Sequence, residues 1–199
     1  MNHSVNTASP STLSRRSFMV GTSAMASGGL ALGLNVFASA DAMAQATDSA
    51  PEVGIWVLIK PDDTCVIRIA RSEMGQGTRT GLAQLVAEEL ECDWTKVTTE
   101  SPTPGQNLKR KRAWGDMSTG GSRGIRTSHD YVRRGGAVAR TMLLQAAANE
   151  WGVAPTELTV ANSVITHAAS GRKTTYGQVA SAASKLPVPD PKSMVLRDP

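Results

Sequence analysis

The chain has 199 residues, 40% hydrophobic and 4% aromatic, with a formal net charge of +4. That is enough aliphatic material for one packed domain and excludes wholesale disorder, while the mild charge suits a groove for an anionic ligand without pointing to nucleic acid. Cys65 and Cys92, with no CxxC pair, exclude an iron–sulfur cluster of the chain's own, and the three histidines lack ligand spacing, so no metal ligands are assigned.

Ser14-Arg15-Arg16-Ser17-Phe18-Met19 places an arginine pair directly before an uncharged stretch over residues 18–39. That stretch is rich in Gly, Ser and Ala, and Ala38-Ser39-Ala40 and Ala42-Met43-Ala44 both offer small-x-small cleavage sites. The layout is that of a twin-arginine signal over residues 1–44, with an uncleaved N-terminal anchor as the alternative. It implies a periplasmic, Tat-exported protein. Residues 45–52 read as a linker and residues 53–199 as the working segment.

Gly54 to Lys60 reads as a buried strand. Pro61-Asp62-Asp63 is turn chemistry, and Cys65 to Ala70 returns as the second arm of a hairpin. A helix is expected from Thr78 to Glu91, with Leu82, Leu85, Val86 and Leu90 on one face, and Trp94 to Thr99 leads into another strand. Residues 101–124, rich in Pro, Gly, Ser and Lys/Arg, read as one long loop, of the length that is usually functional. A second helix is expected from Arg126 to Trp151, with Val132, Ala139, Met142, Leu143 and Ala146 as its apolar stripe. Gly135-Gly136 in its middle costs about 1 kcal/mol per glycine relative to alanine, which implies the close approach of a backbone or a ligand. Leu158–Val160 and Val164–Thr166 form a small hairpin around Asn162. A third helix covers Tyr176 to Ser184, with the Thr175 hydroxyl placed to cap it and prolines 187, 189 and 191 to end it. The fold class is α+β, in mixed α/β layers.

Two glycine loops carry the candidate chemistry. Gly75, Gln76 and Gly77 lie between a strand and a helix, where paired glycines let backbone approach a ligand and the helix start favours an anion. Gln76 carries amide donors and a carbonyl acceptor that match the edge of a heterocycle. Gly120, Gly121, Ser122 and Arg123 precede the next helix, and Arg123 with Arg126 adds charge for phosphate. Read separately, the first loop is more often only a turn and the second is equally a solvated loop with an ordinary helix cap; together they make a nucleotide-like ligand credible. The run Lys109-Arg110-Lys111-Arg112 reads as a solvated face, with no aromatic platform for nucleic acid. Glu88, Glu89 and Glu91 read as helix-surface charges, and Glu73, Glu88, Glu89 and Glu91 have no His or Lys partner that marks acid/base catalysis. Cys65 and Cys92 read either as a disulfide formed outside the cytoplasm or as two small buried hydrophobes.

Arg71-Ser72-Glu73-Met74-Gly75-Gln76-Gly77-Thr78-Arg79-Thr80-Gly81, Val86-Ala87-Glu88-Glu89-Leu90 and Asp93-Trp94-Thr95-Lys96-Val97 resemble the molybdopterin-binding large subunit of the xanthine dehydrogenase/aldehyde oxidase superfamily, of the isoquinoline 1-oxidoreductase beta-subunit type. Thr119-Gly120-Gly121-Ser122, Ala137-Val138-Ala139-Arg140 and Ser170-Gly171-Arg172-Lys173-Thr174-Thr175-Tyr176-Gly177 continue the resemblance. It implies the α+β molybdopterin-binding fold and a molybdenum–molybdopterin cytosine dinucleotide cofactor. It further implies hydroxylation of aldehydes or N-heterocycles with oxygen from water, and electron transfer to a small [2Fe–2S] subunit and on to a cytochrome c subunit. By position Gly75, Gln76 and Gly77 would face the pterin, and Gly121 and Ser122 would hold phosphate or pterin atoms. Family members are much longer. The second cofactor-binding region and the late Gly-Glu segment with the catalytic base find no counterpart here, so no catalytic residue is assigned. The chain is expected to be an N-terminal fragment, inactive alone. The competing reading is an exported, non-catalytic binding or interaction domain.

Overall fold

A computed structural model of the chain describes residues 50–198. The twin-arginine leader and all but the end of the linker lie outside the described residues. Glu52, counted with the linker, already belongs to a strand. β1 (Glu52–Val53), β2 (Val57–Ile59) and β3 (Cys65–Arg68) form an antiparallel meander, with Val57 opposite Ile67 and Ile59 opposite Cys65. The single strand expected over 54–60 is thus cut by a turn at Gly54–Trp56, where Gly54 takes a φ of 70° that favours glycine. α1 (Thr78–Leu90) crosses over to β4 (Val97–Glu100), which lies parallel to β3 and completes a sheet of order β1-β2-β3-β4.

The stretch expected to be one long loop holds helical structure. α2 (Pro104–Lys109) starts in a capping box: Gln106 N–H donates to Thr103 Oγ1 at 3.2 Å and Thr103 N–H to Gln106 Oε1 at 2.7 Å. Pro104 at the first helical position suits that start. A short turn, α3 (Arg123–Arg126), precedes the long helix α4 (His129–Trp151), so the helix expected from Arg126 begins three residues later. A second sheet follows, β5 (Leu158–Ala161), β6 (Val164–His167) and β7 (Arg172–Thr175), all antiparallel. The β5–β6 turn puts Asn162 and Ser163 at φ 48° and 65°, as a tight hairpin turn requires. α5 (Tyr176–Ala183) follows, and a single 3-10 turn over Pro191–Ser193 comes after it. Thr175 stands at the N-terminal cap of α5 as expected, and Gln178 Oε1 accepts Thr175 N–H at 3.2 Å.

The core lies where α1 and α4 cross over the first sheet. Leu82, Val86 and Leu90 of α1 meet Val132, Ala139, Met142, Leu143 and Ala146 of α4, all buried. Leu85, placed on the same face by periodicity, is half-buried. The two mid-helix glycines explain themselves here. A Cβ on Gly136 would sit 2.6 Å from the backbone oxygen of Val86, and one on Gly135 would sit 2.4 Å from the Trp56 ring. Among the described residues no helix is long and apolar enough to cross a membrane.

A glycine inside an ordinary helix gains about 1 kcal/mol on replacement by alanine. At this crossing the sign should reverse: Gly136→Ala must push a backbone away and should cost about 2 kcal/mol, read as a lowered urea midpoint with unchanged slope. An unchanged or raised midpoint would contradict the close crossing.

Candidate functional site

β3 and β4 run parallel to the point where Ile69 N–H donates to Glu100 O at 2.8 Å, and the chain then leaves the sheet at Ala70. The next side chain, Arg71, turns inward and is 6% exposed. Its Nε donates to Ser128 Oγ at 2.8 Å and its terminal nitrogens to Ser118 O at 2.5 Å and Thr127 Oγ1 at 2.9 Å. Asp116 stands 2.9 Å away. One planar cation therefore ties the first glycine loop to both ends of the second. Ser72 adds to the seam, since its N–H and its hydroxyl both donate to Met117 O, at 2.9 and 2.8 Å. The sequence pattern assigns Arg71 no role; the signal for one is an arginine directly after a buried strand.

The structure brings Gly75, Gln76 and Gly77 together with Gly120, Gly121, Ser122 and Arg123, though they lie more than forty positions apart. Gln76 is a latch between them. Its Nε2 donates to Ser72 O at 3.0 Å and Thr78 Oγ1 at 2.9 Å and reaches Thr119 Oγ1 at 3.4 Å, while its Oε1 accepts Met74 N–H at 2.6 Å. The amide expected to read a heterocycle is thus turned onto the loops themselves. Gly124 closes the seam from the other side: a Cβ there would lie 2.7 Å from Thr78 Oγ1 and 2.9 Å from Thr119 Oγ1.

The anion-favouring start of α1 is occupied from within. Glu73 Oε1 accepts Gly75 N–H at 2.7 Å and Gly77 N–H at 3.1 Å, and Oε2 accepts Arg79 N–H at 2.9 Å. The Arg79 N–H above all, with those of Gly77 and Gly75, lowers the Glu73 pKa from its ordinary value. In the second loop Ser118 does the same for Asp116, whose pKa its N–H and hydroxyl bring down to about 2. Arg123 and Arg126, expected to reach out to phosphate, fold back onto their own loop: Arg123 Nε donates to Gly120 O at 3.0 Å and Arg126 to Gly121 O at 3.3 Å.

What remains open is the glycine surface. A Cβ on Gly75, Gly77, Gly120 or Gly121 would meet nothing within 4 Å. Gly75, Gly77 and Gly121 hold φ of 94°, 79° and 64°, and Ser122 follows at 56°. The loops thus offer a bare backbone ledge on which a flat ring and its phosphates can lie closely, and the residues present fit a pterin-type group in that respect. Among the described residues no three His, Cys, Asp or Glu side chains gather as metal ligands.

Residues 8–194 match the molybdopterin cofactor-binding domain family. The chain belongs to that family. It is 34% identical over 173 residues to the isoquinoline 1-oxidoreductase subunit beta of Brevundimonas diminuta, covering 85% of this chain and 22% of that protein. It is 36% identical over 132 residues to the membrane-bound aldehyde dehydrogenase [pyrroloquinoline-quinone] of Gluconacetobacter polyoxogenes, covering 66% of this chain and 16% of the relative. The chain therefore spans about a fifth of the length of the relatives it matches. The quinoline 2-oxidoreductase structure from Pseudomonas putida 86 overlaps 68% of this chain and 17% of its own at 16% identity, with a TM-score of 0.47. The chain thus carries a molybdopterin cofactor-binding domain, and the two relatives it matches in sequence are oxidoreductases by name.

Other sequence-derived assignments sort themselves on the same structure. Glu89, read as a surface charge, is fully buried and paired with Arg133 at 2.5 Å. Glu91 is half-buried and pairs with Arg140 at 3.3 Å and with Arg197. The basic run is not simply solvated, since Arg110 holds both oxygens of Glu52, at 2.6 and 2.9 Å. Burial opposes the charge on Glu52, but hydrogen bonds from Arg110 and Arg68 outweigh it and lower its pKa. Cys65 and Cys92 are free and buried, and the neighbouring Cys92 thiol, then burial, push the Cys65 thiol upward.

The Glu73 cap has a pH signature. Its folded-state pKa is lowered from 4.5, so its contribution is complete above about pH 4.5 and is lost as pH falls through the lowered value. Amide exchange at Gly75, Gly77 and Arg79, corrected for intrinsic rate, should lose protection on that acidification. Glu73→Gln should show weaker protection without the acid transition; an identical transition in the variant would remove Glu73 as its cause.

Proposed function

We propose that the chain is the cofactor-holding part of an exported molybdenum hydroxylase, with the ledge of Gly75, Gln76, Gly77, Gly120, Gly121, Ser122 and Arg123 lying against a molybdopterin cytosine dinucleotide. The observation that carries this is the joining of two distant glycine loops into one open surface by Arg71 and Gln76. The glycines admit the ring system, Gln76 and Arg71 hold the two loops at a fixed spacing, and Arg123 and Arg126 can swing from loop carbonyls to phosphate oxygens with little rearrangement. When bound, such a group supplies two-electron oxidation of a carbon centre with oxygen drawn from water. An aldehyde or an N-heterocycle is the proposed substrate class. A small [2Fe–2S] subunit and a cytochrome c subunit are the proposed electron acceptors, since this chain has only two cysteines.

The test is the cofactor content of full-length protein purified from a host that makes molybdopterin. Molybdenum by mass spectrometry and pterin by fluorescence should appear together, with cytidine nucleotide released on hydrolysis. Gly120 takes no positive φ and faces open space, so Gly120→Leu should leave the melting temperature within about 2 °C while lowering pterin content by about tenfold or more. Unchanged pterin content in that variant, or pyrroloquinoline quinone in place of pterin, would sink the assignment.

Export through the twin-arginine route completes the proposal, because a bulky cofactor built in at folding has to cross the membrane inside folded protein. Replacing Arg15 and Arg16 together by Lys should leave the chain in the cytoplasm on fractionation. Continued appearance in the periplasm would show that another signal carries it.

A further inference from the structure

A cavity of about 320 Å³ opens between the Gly54–Trp56 turn, the turn over residues 111–115, α4 and the proline-rich strand of chain after α5. It is separate from the glycine ledge and belongs to nothing described so far. Trp56, Trp114, Tyr131, Val138 and Val188 form its apolar walls. Those walls are fixed in place. The Trp56 and Tyr131 rings lie 5.5 Å apart, tilted by 39°. The Trp114 indole N–H donates to Ile55 O at 2.8 Å, and the guanidinium groups of Arg68 and Arg110 sit 5.4 and 5.1 Å from its ring centroid. A preorganised aromatic slot binds a flat ring without first having to order its own side chains.

Two guanidinium groups line the rim. Arg134 is committed to Asp130, at 2.8 Å, and to backbone oxygens of the strand after α5. Arg112 is exposed and its side chain has no hydrogen-bond or ion-pair partner among the described residues. Lys111 and Arg112 are held at φ 54° and 59°, an unfavourable backbone for residues with side chains. Among the described residues no carboxylate lines the cavity. The complement of an apolar aromatic slot with one unpaired cation at its mouth is an anion with a flat apolar body. The volume lies at the small end of ligand sites, which limits that body to one or two fused rings. We infer that this slot is a second binding site, for a planar aromatic carboxylate, with the ring against Trp56, Trp114 and Tyr131 and the carboxylate on Arg112. The inference does not depend on the pterin assignment.

Calorimetric titration of the full chain with 2-naphthoate, and with 2-naphthylmethanol as its neutral counterpart, tests it. Naphthoate should bind saturably at one site, about tenfold or more tighter than the alcohol. Arg112→Asn tolerates the left-handed backbone and should erase that difference. Ala113→Trp, on the exposed turn that lines the slot, should abolish binding of both. Absence of saturable heat, equal affinity for acid and alcohol, an unchanged Arg112→Asn, or binding that survives Ala113→Trp would each overturn the proposal. So would self-association abolished by Ala113→Trp without any naphthoate binding, because the slot would then be a docking surface between copies.

Discussion

The buried guanidinium of Arg71 is the constraint on which the functional end of this domain depends. A charge taken out of water is tolerated only where its donors are satisfied, and Arg71 meets that condition by drawing Ser118, Thr127 and Ser128 around itself. These residues flank the second glycine loop, so satisfying one side chain fixes the spacing of both loops. Lysine could not substitute, since a point charge lacks the planar fork that reaches three separate acceptors. The same connection runs further: Tyr131 OH donates to Ser128 Oγ at 2.7 Å, which links the wall of the aromatic slot to the seam of the ledge.

The rest of the charge is organised by the same rule. The net charge of +4 invites the idea of a broadly cationic face. Instead several arginines are spent inside the fold. Arg68 and Arg110 share Glu52 and flank Trp114, and Arg133 holds the buried Glu89. Glu89 also accepts the N–H of Arg197, at 3.1 Å, while Arg133 donates to Arg197 O at 2.5 Å. The segment after α5 is thereby fastened along α4 by backbone groups that would otherwise be unpaired.

The elements governed by periodicity were legible in the sequence. α1, the stripe of α4, the first hairpin and the β5–β6 turn at Asn162 all follow from local pattern and turn chemistry. The glycine pair of α4 was legible as a close approach, and the structure assigns Gly136 to a backbone and Gly135 to an indole. α2 was hidden because Pro, Gly and basic residues suggested a loop, although Thr103, Pro104 and Gln106 spell a capping box. β7 was hidden because Arg172-Lys173 looks like surface, and it is an edge strand. The burial of Glu89 could not be read locally, because the partner that permits it, Arg133, comes from another helix. For the site, the two loops were legible as glycine motifs, but their union depends on the long-range contacts of Arg71 and Gln76, which no spacing encodes.

That union changes what kind of recognition the ledge can perform. A helix start and two arginines suggested a site that attracts an anion by charge. In the structure Glu73 already fills the helix start, Asp116 faces Arg71 and Arg123, and Arg123 and Arg126 lie on loop carbonyls. The polar groups of the ledge therefore already hold partners within the protein before any ligand arrives. A phosphate gains only the difference between its contacts and those already made, which is a small part of its full charge–charge energy in isolation. Selectivity at such a surface has to come from shape: from four glycines with nothing above them, held in register by a latch and a pin that never leave the protein. A long, flat ligand that touches both loops at once exploits that register, whereas a lone phosphate or a short anion does not.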